Sequence, residues 1–264
     1  MIWSRCKNYF DTRYKLGAVY IEDREIQPAI ANSQLSSTFL GGVKGVHSPP
    51  FLGGQSIIGY GANGGGVVGI CTSAFVVWRG AASAKNYYMM TAAHCGGKIG
   101  STYDQPWYQG GEAQNKIAMG KVDYYDKSDA DAMLINISNS SSQWDNGIDL
   151  GAGGYRAILS VQGKGADTVG DTTCLTGRNF TGIRCGELTQ TSVDFEYSDY
   201  KIASKYGREV AAACAPGDSG GPVFYGNQAR GVISGSISRE NRPVTCLYTH
   251  IYDDLMGSTI ATSG

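Results

Sequence analysis

The residues best suited to chemistry lie in two short runs. Cys214-Ala215-Pro216-Gly217-Asp218-Ser219-Gly220-Gly221-Pro222 sets a serine among glycines. Far upstream, Thr91-Ala92-Ala93-His94-Cys95 sets a histidine beside a cysteine and small residues. A serine hydroxyl is a poor nucleophile at neutral pH. It needs an adjacent base, a group that orients the base, and donors for the oxyanion that forms. Glycines around the serine let backbone N–H groups come close to a substrate carbonyl, and a histidine on a tight turn supplies the base. Together the two runs point to acyl transfer, with Ser219 as nucleophile and His94 as base.

The order of the groups along the chain narrows the reading. G-D-S-G-G also satisfies the G-x-S-x-G turn of α/β-hydrolases, whose order is Ser, acid, His. After Ser219 the remaining histidine is His250, Asp253 and Asp254 follow it, and the chain left over is too short for such a sheet. The other order, base then acid then nucleophile, calls for an acid between His94 and Ser219. Asp129-Ala130-Asp131-Ala132-Met133-Leu134-Ile135-Asn136-Ile137 offers two. Asp131 opens the apolar stretch, and burial beside such a strand suits a carboxylate that must hold an imidazole in one tautomer. Asp131 is therefore favoured. Asp129 would share its strand face and stays open; otherwise it reads, like Asp123 and Asp126, as a solvated loop acid.

Elements that could position these groups are short strands. The chain has 264 residues, with 38 glycines, 7 prolines and only 17% charged residues. That mix suits many strands and turns better than long helices. Strand signals recur at 67–71, 74–78, 87–91, 117–122, 132–137, 155–161, 186–189, 193–197, 222–224 and 231–234. Residues 253–260 read as a short helix with Asp253 as N-cap. The formal net charge of −1 gives no electrostatic case for nucleic acid. The most apolar window, Val67 to Trp78, is too short to span a bilayer. With 7 cysteines, 3 histidines and no C-x-x-C, no metal site or cofactor is expected. Six cysteines invite disulfides and hence an oxidising compartment, but their connectivity is not fixed by spacing. Cys6 is left over. Met1-Ile2-Trp3-Ser4-Arg5-Cys6-Lys7 shows no apolar run of a leader. His47 and His250 read as surface or packing histidines. Asn136, Asn139 and Asn179 match the glycosylation pattern.

At this point the chain resembles the bacterial branch of the chymotrypsin family, the streptogrisins and α-lytic protease. Three stretches carry the resemblance: Leu52-Gly53-Gly54 through Cys71-Thr72-Ser73-Ala74-Phe75 to Thr91-Ala92-Ala93-His94-Cys95; Cys174-Leu175-Thr176-Gly177 to Thr181-Gly182-Ile183-Arg184-Cys185-Gly186; and Cys214 to Pro222 followed by Gly231-Val232-Ile233-Ser234-Gly235-Ser236. The resemblance implies an all-β fold of two antiparallel β-barrels, about 51–150 and 151–264, with a short C-terminal helix. Residues 1–50 fall outside it and read as an N-terminal extension or a pro-segment remnant. It implies a secreted serine endopeptidase acting on protein or peptide substrates and open to proteinaceous inhibitors. It implies the triad His94, Asp131 and Ser219, an oxyanion hole from the N–H groups of Gly217 and Ser219, and bridges Cys71–Cys95, Cys174–Cys185 and Cys214–Cys246.

One departure matters. Relatives pair the aspartate before the serine with an internal arginine, but that position here holds Leu175. This leaves Arg178 after a one-residue shift, or an N-terminus freed near Phe51, as the partner of Asp218. The pocket base, acidic in trypsin-like relatives, is Ala212, and the position that is histidine in glutamate-specific relatives is Ile233. A pocket walled by Ala212, Ser234, Gly235 and Ser236 carries no charge, which favours apolar or aromatic P1 side chains. Two other functions fit the same residues: a protease-fold binding or adhesion protein without turnover, and a serine esterase.

Overall fold

The computed structural model describes residues 19–20, 26–28 and 50–261, apart from 110–111, 140–143, 152–153, 180–181, 198–199, 203–206 and 240–241. Cys6 and His47 lie outside the described residues. Strands dominate, as the composition implies. The N-terminal half builds an eight-stranded antiparallel sheet. Its order is Thr259–Ile260, Val76–Arg79, Asn86–Thr91, Ala132–Asn136, Glu112–Asp126, Thr102–Gln109, Ser56–Tyr60 and Val67–Thr72. Ala132–Asn136 is central, and Met133, Leu134 and Ile135 are all fully buried. A strand covered on both faces reads as a continuous apolar run, which is how this one is written.

In the C-terminal half six strands close on themselves. Thr172–Leu175 pairs with Arg184–Gln190, then Gly207–Val210, Arg242–His250, Gln228–Arg239 and Pro222–Tyr225, which returns to Thr172–Leu175. Every pairing in this ring is antiparallel. One edge segment stays available. Pro222–Tyr225 pairs with Gln228–Arg239 only as far as Val232, so Ser234 to Ile237 have Arg242–His250 on one side alone within the ring. On the other side lies Ile26–Pro28, antiparallel, with Ile26 opposite Ile237, Gln27 opposite Ser236 and Pro28 opposite Gly235. Val19–Tyr20 runs parallel to Val193 and Asp194.

The helix is shorter and earlier than the sequence suggests. It spans Ile251–Asp254, and its N-cap is His250, whose Nδ1 accepts the Tyr252 N–H at 3.1 Å. Asp253 falls inside the first turn, where the helix dipole favours an acid. His250 is buried rather than on the surface, in line with the packing role. Beyond the helix the chain returns to the first sheet through Thr259–Ile260, whose partners are Trp78 and Val77. The bridges Cys71–Cys95, Cys174–Cys185 and Cys214–Cys246 are all formed.

Candidate active site

Each group is placed by a different element. His94 sits on a single 3-10 turn, Ala93–Cys95, that directly follows the strand Asn86–Thr91. The Cys71–Cys95 bridge clips this turn to the end of Val67–Thr72. Thr72 then reaches the serine loop: its N–H donates to the Ser219 carbonyl at 2.8 Å, and its hydroxyl donates to the Gly217 carbonyl at 2.7 Å. Histidine turn and serine loop therefore hang on one strand end. Gly217 and Gly220 hold φ of 103° and 81°, a region that favours glycine, so the loop's sharp path depends on them.

Asp131 stands one residue before Ala132–Asn136 and is fully buried. Its Oδ1 accepts the backbone N–H of His94 at 2.9 Å. Its Oδ2 lies 2.5 Å from His94 Nδ1 and accepts the Ser234 hydroxyl at 2.7 Å. His94 Nε2 is 2.6 Å from Ser219 Oγ. A carboxylate only accepts, so Asp131 requires the imidazole proton on Nδ1 and leaves the Nε2 lone pair facing the hydroxyl. Burial alone would push the Asp131 carboxyl up; the His94 ring, the Ser234 hydroxyl and the His94 N–H outweigh it and hold it below the usual range. Asp129, by contrast, is exposed and belongs to the turn capped by Asp126. This arrangement can take a proton from Oγ onto Nε2 and stabilise the resulting imidazolium.

Residues that the sequence did not single out complete the site. Tyr197 ends the strand Val193–Tyr197, and its ring stacks on His94 with centroids 4.9 Å apart. Its hydroxyl donates to the Ser234 carbonyl at 2.7 Å, and burial pushes its pKa well up, so it stays a donor. The available signal was the inward alternation of Val193, Phe195 and Tyr197. Ser234, expected as a pocket wall, also binds the carboxylate of Asp131. Among the described residues, none accepts the N–H of Gly217 or of Ser219.

Of the positions expected to wall a pocket, Ala212 lies in an apolar cluster with Ile233, Tyr248 and the Cys214–Cys246 bridge, and Ser234, Gly235 and Ser236 lie outside that cluster. The neighbouring acid Glu209 faces the other way. Val210 enters that cluster, so the preceding residue projects from the opposite face, where Arg239 and Thr245 hold its carboxylate at 2.5 to 2.7 Å. Asp218 is also fully buried, and in the intact chain its hydrogen-bond donors do not include the expected Arg178. Oδ1 accepts from Asn179 and Oδ2 from the Ala215 N–H, whereas the Arg178 N–H goes to the Thr72 hydroxyl.

Comparison with known proteins agrees with this geometry. The family model described as Trypsin matches residues 68–255. The chain belongs to the trypsin family. It is 34% identical over 184 residues to Serine protease 2 of Streptomyces fradiae, covering 69% of this chain and 92% of that one. It is 30% identical over 198 residues to Streptogrisin-C of Streptomyces griseus, covering 74% of this chain but 39% of that protein's length. Among solved structures it resembles a glutamic acid-specific serine protease, described as using a histidine triad in substrate binding. That likeness has a TM-score of 0.62 and 25% identity, over 80% of this chain and 100% of that one.

Proposed function

We propose that this trypsin-family chain is a secreted serine endopeptidase. Ser219 is the nucleophile, His94 the general base and then acid, Asp131 the group that orients His94, and the N–H groups of Gly217 and Ser219 the oxyanion donors. The observation that carries this reading is the unbroken line Asp131–His94–Ser219, with 2.5 and 2.6 Å links. Ser219 Oγ attacks the scissile carbonyl as its proton passes to Nε2. The tetrahedral oxyanion faces the two N–H groups. Collapse breaks the C–N bond, and Nε2 returns the proton to the leaving amine. Water repeats the sequence on the acyl-enzyme. Three disulfides support an oxidising, extracellular setting. Hydrolysis of a casein-like protein together with a simple ester tests the reading. Ester cleavage alone would favour an esterase, and neither would favour a binding protein.

The pocket takes large apolar residues. Ala212, Ile233 and Tyr248 supply no charge to the cluster, and an unpaired charge there is costly. Where glutamate-specific relatives place a histidine, this chain has Ile233, and His250 is committed through Nδ1 to the helix N-terminus. A peptide library should show Phe, Tyr or Leu preferred at P1. Preference for Arg, Lys or Glu would mean that a charge from elsewhere reaches the pocket.

Residues 1–50 act as a cleft-occupying pro-segment. An extended substrate adds as a strand beside Ser234 to Ser236, and Ile26–Pro28 lies along that edge. Pro28 has no N–H, so its pair with Gly235 is the unbonded kind. Pairs alternate in an antiparallel ladder, so Gln27 and Ser236 exchange the hydrogen bonds. In the full chain, Gln27→Pro should lower KM for a peptide substrate about tenfold through loss of one ladder bond, with kcat unchanged. Ile26→Pro, at an unbonded pair, should do far less. Equal kinetics for wild type and Gln27→Pro would return the arm to a packing role. The same edge would take the exposed loop of a proteinaceous inhibitor.

A further inference from the structure

We infer that Asn179 is the residue that sets the oxyanion hole of this chain, by fixing the Pro216–Gly217 peptide and Asp218 together. The inference rests on the assignment of Ser219 as nucleophile. Asn179 belongs to the loop closed by the Cys174–Cys185 bridge, remote in sequence from the serine loop. Its side-chain Nδ2 donates to the Pro216 carbonyl at 2.9 Å and to Asp218 Oδ1 at 3.0 Å. Its backbone N–H donates to the same Oδ1 at 3.1 Å. A carbonyl and an ionised carboxylate both only accept, so the two contacts require the NH₂ end of the amide and settle its orientation.

The consequence for the hole is geometric. In a trans peptide the C=O and the following N–H point in opposite directions. Holding the Pro216 oxygen toward Asn179 therefore turns the Gly217 N–H away from it. On the far side of Gly217, its own carbonyl is held by the Thr72 hydroxyl at 2.7 Å. Both peptides flanking Gly217 are thus pinned by side chains from other loops. Asp218 ties the loop down between them: Asn179 fills Oδ1, and the Ala215 N–H donates to Oδ2 at 2.9 Å. Burial pushes the Asp218 carboxyl up, against the Asn179 and Ala215 donors and the Arg184 charge. In the intact chain neutral N–H groups hold Asp218 at hydrogen-bond distance, with the Arg184 charge adding to them. Asn179 touches no reacting atom; it is a positioning residue that acts through Gly217.

The test uses the full chain. Asn179→Ala keeps the backbone N–H bond to Asp218 and removes both Nδ2 bonds. Loss of an oxyanion donor costs about 10²–10³ in rate, so a misdirected Gly217 N–H should lower kcat by about 10² with KM within about twofold. Affinity for a peptide aldehyde, whose adduct carries the oxyanion, should fall by a like factor, while affinity for the matching peptide alcohol should not change. Asn179→Asp, equal in size but lacking the donor and repelled by Asp218, should lose at least as much. Wild-type kcat and aldehyde affinity in either folded variant would overturn the inference. The unmodified protein gives a further reading: both Asn179 side-chain amide protons should exchange slowly with solvent, and exchange at the rate of a free amide would also overturn it. If Ser219 were not the nucleophile, the wild type itself would neither bind the aldehyde covalently nor take a fluorophosphonate, so the two failures are distinct.

Discussion

Ser219→Ala abolishes peptide hydrolysis and leaves the fold intact. The change deletes one oxygen atom. Its bonds are to His94 Nε2 at 2.6 Å and to the Ser234 carbonyl at 3.3 Å, and the latter keeps the Tyr197 hydroxyl as donor. The loop around it is held by backbone, by Thr72 and by Asp218, none of which involves the hydroxyl. Stability should therefore shift by less than about 1 kcal/mol, while kcat falls by about 10⁶ as for other serine nucleophiles. Steady-state kinetics beside a urea titration checks both halves. Turnover surviving in the folded variant would remove Ser219 from the mechanism.

Asp131→Asn lowers kcat by about 10⁴, and Asp129→Asn changes it little. The reason lies in what surrounds the carboxylate. Oδ1 receives the His94 N–H, and Oδ2 faces Nδ1 and the Ser234 hydroxyl. An asparagine must put its NH₂ at one of these places. At the first it would oppose a fixed backbone donor. At the second it can donate to Nδ1, and the Ser234 hydroxyl can rotate. The second placement is favoured, and it forces the imidazole proton onto Nε2, where it can no longer accept from Ser219. Asp129 is exposed and touches none of these groups. A kcat series on both variants checks the assignment, and the reverse outcome would exchange the two aspartates.

What was legible in the sequence follows from where constraints are local. His94 and Ser219 announce themselves because glycines, small residues and cysteines must surround such groups. Asp131 is legible because the strand after it is buried on both faces. Thr102–Gln109 was not anticipated, because its inward positions include Gln105, a buried polar residue bonded to Gln55, which breaks the apolar alternation. The contacts of Tyr197, Thr72 and Asn179 with the serine loop and the Ser234 carbonyl carry no local mark, although Tyr197 lies on a visible strand alternation. Each acts across a long sequence separation on a backbone group, and only the assembled sheets bring these groups together. The strand pairing of Ile26–Pro28 was hidden for the same reason: its partner edge exists only because Pro222–Tyr225 turns away at Val232.

The most direct measurement is covalent. The full-length chain is treated with a small fluorophosphonate, digested and mapped. Nucleophilicity here comes from an imidazole 2.6 Å from Oγ and from two N–H donors for the phosphoryl oxygen. One label per chain on Ser219 is therefore expected, with none after Ser219→Ala and slower labelling after Asp131→Asn. A label on any other serine, or no label on the folded protein, would contradict the account.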